Sequence, residues 1–287
     1  MDIIEKALKQ AGDHSSPQQI KRLNGGQINE CYYVLTKKQA YTIKYHKHAP
    51  EGFFGKEASG LERIKSTSTV ATPEVYVFHD QPGASFIVME WIDGERGRAA
   101  EMTLAEQIAA MHQTYASSHG FTEDTYVGIL RQPNGLYTSW LEYYRDRRLM
   151  NQRDIGIQRG HITGMRRARL EKLLSDIERW VPSEVPASFL HGDLWAENWL
   201  QNKEGKPYVI DPSFLYGDRH FELAYMELFG GFSSRFFDAY ESCLPPSDTY
   251  GDVKDIYQLY YLLVHLNIFG EIYGPRVDDI LERYVLV

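Results

Sequence analysis

The chain has 287 residues, of which 43% are hydrophobic and 24% charged, and its formal net charge is −8. That length and composition suit one large or two small folded domains and exclude a disordered chain. The acidic balance and the lack of a long basic run argue against a nucleic-acid partner. No apolar stretch approaches the ~18 residues of a membrane span. Cys31 and Cys243 are too few for a secreted disulfide scaffold, and neither has the Cys/His company of a zinc site.

Met1 to Lys9 has the spacing of an amphipathic helix without the apolar core of a signal peptide, so the expected compartment is the cytoplasm. After Asn24-Gly25-Gly26 comes a strand, Ile28 to Leu35. A turn at Lys37-Lys38-Gln39 leads into a second strand, Ala40 to Tyr45, completing a Gly-led hairpin. Phe53 to Ile64 switches to helical spacing. Val75 to Phe78 and Ser85 to Ile92 are strands joined by a turn at Asp80-Gln81-Pro82-Gly83.

From Thr103 onward the pattern is chiefly helical. Leu104, Ile108 and Met111 mark one helix and Tyr137 to Leu149 a second. Met165 to Trp180 marks a third, ended by Pro182 and Pro186. A hairpin-like stretch runs from Trp199-Leu200 through a turn at 203–206 to Tyr208-Val209-Ile210-Asp211. The apolar helix Ile256 to Phe269 carries Tyr257, Tyr260, Tyr261 and His265, a spacing of core residues. The expected fold is α+β and bilobal. A strand-rich N-lobe spans 1–92, a mainly helical C-lobe spans 93–287, and a ligand lies at the hinge near Asp93-Gly94.

The strongest chemical signal is His191-Gly192-Asp193, with Asn198 five residues after the Asp and Asp211 eighteen after it. Phosphoryl transfer to a hydroxyl needs a carboxylate to receive the hydroxyl proton and oxygen ligands for Mg²⁺ on the ATP phosphates. Asp193 fits the base, and Asn198 and Asp211 fit the metal ligands. His191 fits a brace for the loop rather than a proton carrier. Lys44, on the second strand, fits the phosphate contact, and Glu57, in the next helix, fits its positioning partner. Gly25, Gly26 and Gln27 fit a phosphate loop, since glycines let backbone N–H groups approach phosphate oxygens. The strand ending in Glu90-Trp91-Ile92 fits an adenine-binding hinge, read by the backbone of about Glu90 to Ile92. Cys31 lies close to the phosphate loop, where a small apolar strand residue is the plainer reading.

With these residues placed, the chain resembles the fructosamine kinase family within the aminoglycoside-phosphotransferase-like kinases. The likeness runs nearly end to end. It includes Gly25 to Glu30, Glu57-Ala58-Ser59-Gly60-Leu61, Gln132-Pro133-Asn134-Gly135 and Arg147-Arg148-Leu149. The most specific runs are His191 to Trp195 with Asn198, Asp211-Pro212 with Tyr216-Gly217, Glu227 to Phe232, and His265-Leu266-Asn267. The resemblance implies a protein-kinase-like fold, ATP and Mg²⁺. It also implies phosphorylation of a ketoamine, a small-molecule or glycated-amine acceptor, giving a 3-phosphate that breaks down to release the amine. Trp195 and Trp199 flank the catalytic loop, where buried packing is the plainer reading and a wall of the acceptor pocket the alternative; Trp195 and Arg219 are the candidate acceptor residues.

The chain departs from the family pattern at Gln27, Tyr45 and Glu197. It departs again after Gly217, where Arg-Glu-x-Asp-Leu-Ala is usual and Arg219-His220-Phe221-Glu222-Leu223-Ala224 stands. Aminoglycoside- or choline-type kinases are the rival enzymes, and a catalytically inactive nucleotide-binding protein is the rival of another class.

Overall fold

The computed structural model describes residues 3–23, 28–95 and 97–285. They fall into two compact units. One comprises Met1–Leu104 with Glu197–Ser213, the other Ala105–Ala196 with Phe214–Val287.

The first unit is built on a five-stranded antiparallel sheet. Its strand order is Gln19–Arg22, Glu30–Leu35, Ala40–His46, Ser85–Glu90, Val75–His79. The central strands are apolar on the covered face. Val34, Tyr41, Ile43, Phe86 and Val88 pack with Ile4, Ala7 and Leu8 of helix Ile3–Gln10. Period-2 strands and a helix with a single apolar stripe solve the same burial problem from opposite sides. Helix Phe53–Ser66 buries Phe54, Ala58, Leu61 and Ile64, an i, i+4, i+7, i+10 stripe. Its first turn is capped from the Asp80 turn, whose carboxylate accepts from the Phe54 and Gly55 N–H groups at 3.0 and 2.7 Å.

Seventeen residues from far along the chain complete this unit. Trp199–Asn202 and Pro207–Val209 form a hairpin in the register Trp199↔Val209. Its first strand, the middle one of a three-stranded sheet, also pairs with Gly94–Glu95, through Asn202↔Gly94 and Gln201↔Glu95. Its second strand makes a parallel bridge between Ala71 and Tyr208. Asp93 and Gly94 thus lie inside the first unit. A two-residue strand has no period to detect, and this pairing leaves no mark in the sequence.

The second unit has its own five-stranded sheet, in the order Gly135–Tyr137, His119–Phe121, Leu215–Gly217, Ala187–Leu190, Tyr115–Ala116. The chiefly helical expectation for this region missed the strands between 115 and 137, each too short to show alternation. The helix expected over Tyr137 to Leu149 is also different. Tyr137 ends a strand, Trp140–Tyr143 is α-helical, and Tyr144–Leu149 winds as a π-helix into helix Met150–Arg159. Arg148, near the end of that expected helix, is fully buried. Its guanidinium donates to Pro133 O at 3.0 Å and Asn134 Oδ1 at 2.8 Å, and it also bonds the Tyr143 hydroxyl. Two runs of the family resemblance therefore clamp each other.

Helix Tyr250–Phe269 is the spine of this unit's core. Tyr257, Tyr260 and Tyr261 are all at most 1% exposed, as the core reading of that helix expected. Among the described residues no helix is long and apolar enough to cross a membrane.

Asp13 ties the far end of the Lys44 hairpin. Its carboxylate accepts from Ser15 N and Oγ, Thr36 Oγ1 and Tyr41 Oη. Burial pushes its pKa up, but these hydrogen bonds outweigh it and hold the group down at about 2 against an ordinary 3.8. The stabilisation is full above pH 3.8 and is lost as pH falls towards 2. In urea titrations from pH 5 to pH 2 the wild type should lose stability in that window more steeply than Asp13→Asn.

Candidate active site

The first cluster of candidate residues lies in the first unit. Strand pairing places Lys44 opposite Cys31 on one side and Ile87 on the other. The Lys44 side chain is buried, and its Nζ lies 2.6 Å from Glu57 Oε1 and also pairs with Asp211 Oδ1. Burial alone would pull the ammonium pKa down. The Asp211 and Glu57 carboxylates outweigh it, so the pKa is raised and Lys44 is a cation at any working pH. Glu57 is pushed upwards by burial, and further by the like charge of Asp211, against the pull of Lys44. One cation thus serves two carboxylates. Glu57 is buried, whereas the Asp211 side chain is 37% exposed.

The hairpin register fixes the other partner. Because Trp199 faces Val209, Asn198 stands opposite Ile210, whose N–H donates to Asn198 O at 2.9 Å. Asp211 follows at once, in the left-handed region with φ 58. An amide side chain and a carboxylate thus leave the open end of one hairpin. Asp and Asn tolerate that backbone better than other residues with a Cβ.

The expected phosphate loop, Gly25, Gly26 and Gln27, lies outside the described residues. At the expected hinge, Ile92 is buried, and the Glu90 N–H already donates to Glu74 O at 2.8 Å. An adenine edge would therefore need the backbone beyond Glu90 for a donor. Cys31 is half-buried, and burial raises its thiol pKa to about 11, which disfavours the reactive thiolate.

The second cluster lies in the second unit. The fully buried strand Ala187–Leu190 delivers His191, Gly192 and Asp193. Gly192 has φ 85, a turn that a side chain would strain. The His191 ring nitrogen Nδ1 accepts from the Asp193 N–H at 3.3 Å, the bracing role expected of it.

A buried carboxylate holds the same turn. Glu222 Oε2 accepts from the His191 N–H at 3.1 Å and Oε1 from the Gly192 N–H at 2.5 Å. His112 Nε2 lies 2.9 Å from Oε2, and His112 Nδ1 lies 2.8 Å from Tyr240 Oη. Burial would raise the Glu222 pKa, but the His112 hydrogen bond and charge and the Gly192 N–H hold it below 4.5. Sequence reasoning marked Glu222 only as a departure from a pattern and missed His112. The available signal was a lone carboxylate in the apolar run Phe221-Glu222-Leu223-Ala224, since a buried carboxylate needs donors.

Gly231 explains part of the run ending at Phe232. It has φ 97, and a Cβ there would stand 2.2 Å from Ala196 Cβ, in the loop that follows Asp193. Trp195 is half-buried against the second unit's core. Arg219 is differently engaged. Its guanidinium donates to Leu244 O at 3.1 Å and bonds Pro245 O, at the end of helix Ser234–Cys243. Lys44, Glu57, Asn198 and Asp211 are thus assembled in one unit. Asp193, Trp195 and Arg219 belong to the other, and the chain from Asp193 to Asn198 links the two sets.

The sequence model for fructosamine kinase matches residues 1–286. A protein of Enterococcus faecium named a probable ketoamine kinase is 35% identical, over 91% of this chain and 93% of its own. The chloroplastic protein-ribulosamine 3-kinase of Arabidopsis thaliana is 30% identical, over 99% of this chain and 88% of its own. A crystal structure from Haemophilus somnus 129PT, described as a candidate fructosamine-3-kinase, superposes with a TM-score of 0.87 at 27% identity. It covers 99% of this chain and 97% of that one. The chain belongs to the fructosamine kinase family, and its fold is the α+β fold of the protein-kinase-like enzymes.

Gly231→Ala should lower stability by about 2–3 kcal/mol, from the clash with Ala196 and the left-handed backbone. Adding Ala196→Gly removes the clash alone and should restore part of the loss. Thermal melts of the two variants check this, and a double variant no better than the single one rejects the contact as the cause.

Proposed function

We propose that the protein transfers the γ-phosphoryl group of ATP to a sugar hydroxyl of a ketoamine, using Lys44, Glu57, Asn198 and Asp211 on the nucleotide side and Asp193 as the base. The observation that carries this reading is the buried Lys44 cation held by both Glu57 and Asp211. A lysine on a sheet strand is ordinarily solvated. One buried among carboxylates is fixed in place, and fixed positive charge is what a triphosphate requires. The names of the relatives point to ketoamines as the acceptor class.

The donor atoms suit Mg²⁺. Asn198 and Asp211 offer hard oxygens from one amide and one carboxylate. Mg²⁺ commonly takes one or two protein carboxylates and completes its shell with phosphate oxygens and water. Bound there, it would neutralise charge on the phosphates. Asp211 is the more exposed partner of Lys44, so its carboxylate is open to a second cation while Glu57 keeps the lysine.

On this reading Asp193 receives the acceptor proton as the hydroxyl oxygen attacks. Glu222 and His191 keep the Asp193 turn in one conformation by holding its backbone. Most of the acceleration then comes from positioning and charge neutralisation. Two free cysteines suit a reducing compartment such as the bacterial cytoplasm.

Asp193→Asn should lower kcat by about a thousandfold or more and leave ATP affinity within a few fold. Wild-type turnover in that variant would remove Asp193 from the chemistry. A panel of fructoselysine, ribuloselysine, choline and kanamycin, read by product mass, should show phosphate on the ketoamines alone. Phosphorylated choline or kanamycin without a ketoamine product would overturn the acceptor class. Asp211→Asn should abolish the Mg²⁺ dependence of ATP binding while leaving the melt close to wild type.

A further inference from the structure

Tyr225 lies on helix Arg219–Leu228, is 2% exposed, and has no part in the phosphate or metal set. Its ring stacks flat on Tyr261, with centroids 3.7 Å apart and an interplanar angle of 9°. Tyr261 in turn stacks on Phe221 at 4.9 Å, and its hydroxyl donates to Gly192 O at 3.2 Å. A side-chain hydrogen bond joins Tyr225 to Asp193. Two stacked phenols therefore hold neighbouring points of one turn, a backbone carbonyl at 192 and a carboxylate at 193.

We propose that Tyr225 is a positioning residue for the catalytic base: its hydroxyl donates to one Asp193 carboxylate oxygen and leaves the other aimed at the acceptor hydroxyl.

The physical need is clear from the torsion. The terminal torsion of an Asp is broad and roughly two-fold, so an untethered carboxylate samples many directions. A base works only when its lone pair meets the proton in line. Glu222 and His191 fix the backbone of the turn and leave that torsion unset. A phenol clamped between helices constrains that torsion, because the stack holds its ring and the ring holds its hydroxyl. Burial and the Asp193 charge both push the Tyr225 phenol pKa well above its ordinary value, so the group stays a donor. Tyr260, beside Tyr261 on helix Tyr250–Phe269, is also buried near Asp193, but its hydroxyl lacks a hydrogen-bond partner among the described residues and cannot share the task.

This inference rests on Asp193 being the base, and the test separates the two. Tyr225→Phe keeps the ring and the stack and removes only the donor. With ATP, Mg²⁺ and fructoselysine, kcat should fall roughly ten- to hundredfold, with both KM values within about twofold. In the Asp193→Asn background the same change should cost less than about twofold more, because the two residues act as a unit. If Asp193→Asn alone keeps wild-type turnover, the base assignment falls. If Asp193→Asn is inactive while Tyr225→Phe keeps wild-type kcat, only the positioning role falls. It falls equally if the Tyr225→Phe loss recurs in full in the Asp193→Asn background, or matches a loss of ATP-binding-competent protein.

Discussion

The ammonium of Lys44 organises the first unit. Three separate pieces of chain meet at one buried charge: the strand Ala40–His46, the helix Phe53–Ser66 and the hairpin that ends at Asp211. A buried cation left alone would cost several kcal/mol, so Glu57, its buried partner, is a structural necessity, while the more exposed Asp211 adds a second counter-charge. The sheet explains why the lysine can be there at all. Its strand is central, with a partner on either edge, so its backbone is fully paired and the side chain has no freedom to turn outward. The Asp80 cap and the apolar stripe of the helix then set where Glu57 arrives.

The second unit solves a related problem with the signs reversed. There the buried charge is an anion, Glu222, and its donors are two backbone amides and an imidazole. The His191-Gly192 turn would otherwise leave N–H groups stranded beside a buried strand, a cost of about 1–3 kcal/mol each. The longer arm of Glu222, relative to the Asp usual in the family, still reaches both amides. Aromatic packing then does for this unit what strand pairing does for the first. Phe221, Tyr225, Tyr257, Tyr260 and Tyr261 interlock in a nearly continuous array, and the hydroxyls of Tyr257 and Tyr261 are spent on fixed acceptors, Asp218 Oδ2 and Gly192 O.

Much of this was legible in the sequence, for identifiable reasons. The strands and the helix around Lys44 and Glu57 carry periods of 2 and 3.6, and both the elements and the pairing follow from them. The order and spacing of Asp193, Asn198 and Asp211 marked the candidate catalytic segment without any structure. Three things were hidden. The strands between 115 and 137 are two or three residues long and show no alternation. The attachment of the hairpin at 199–209 depends on two-residue pairing with Gly94–Glu95, which is a matter of backbone alone. Arg148 and Glu222 look like surface charges, because a sequence pattern counts a charged residue as exposed until its partners are known. Arg219 shows the converse: a cation assigned to the acceptor on likeness has its guanidinium on the carbonyls of Leu244 and Pro245.

The left-handed backbone at Asp211 also bears on how this protein can change over time. At φ 58 few side chains sit without strain, and the tolerated set is essentially Gly, Asn and Asp. Random drift at this codon is therefore channelled. Most replacements carry a backbone strain of about 1–2 kcal/mol, while asparagine passes without it and with the negative charge gone. If Asp211 is the metal ligand proposed above, a descendant that lost its activity by this route would keep the hairpin, the glycines and the aromatic array of its working relatives. A silenced lineage would thus be told from an active one by a single oxygen exchanged for nitrogen.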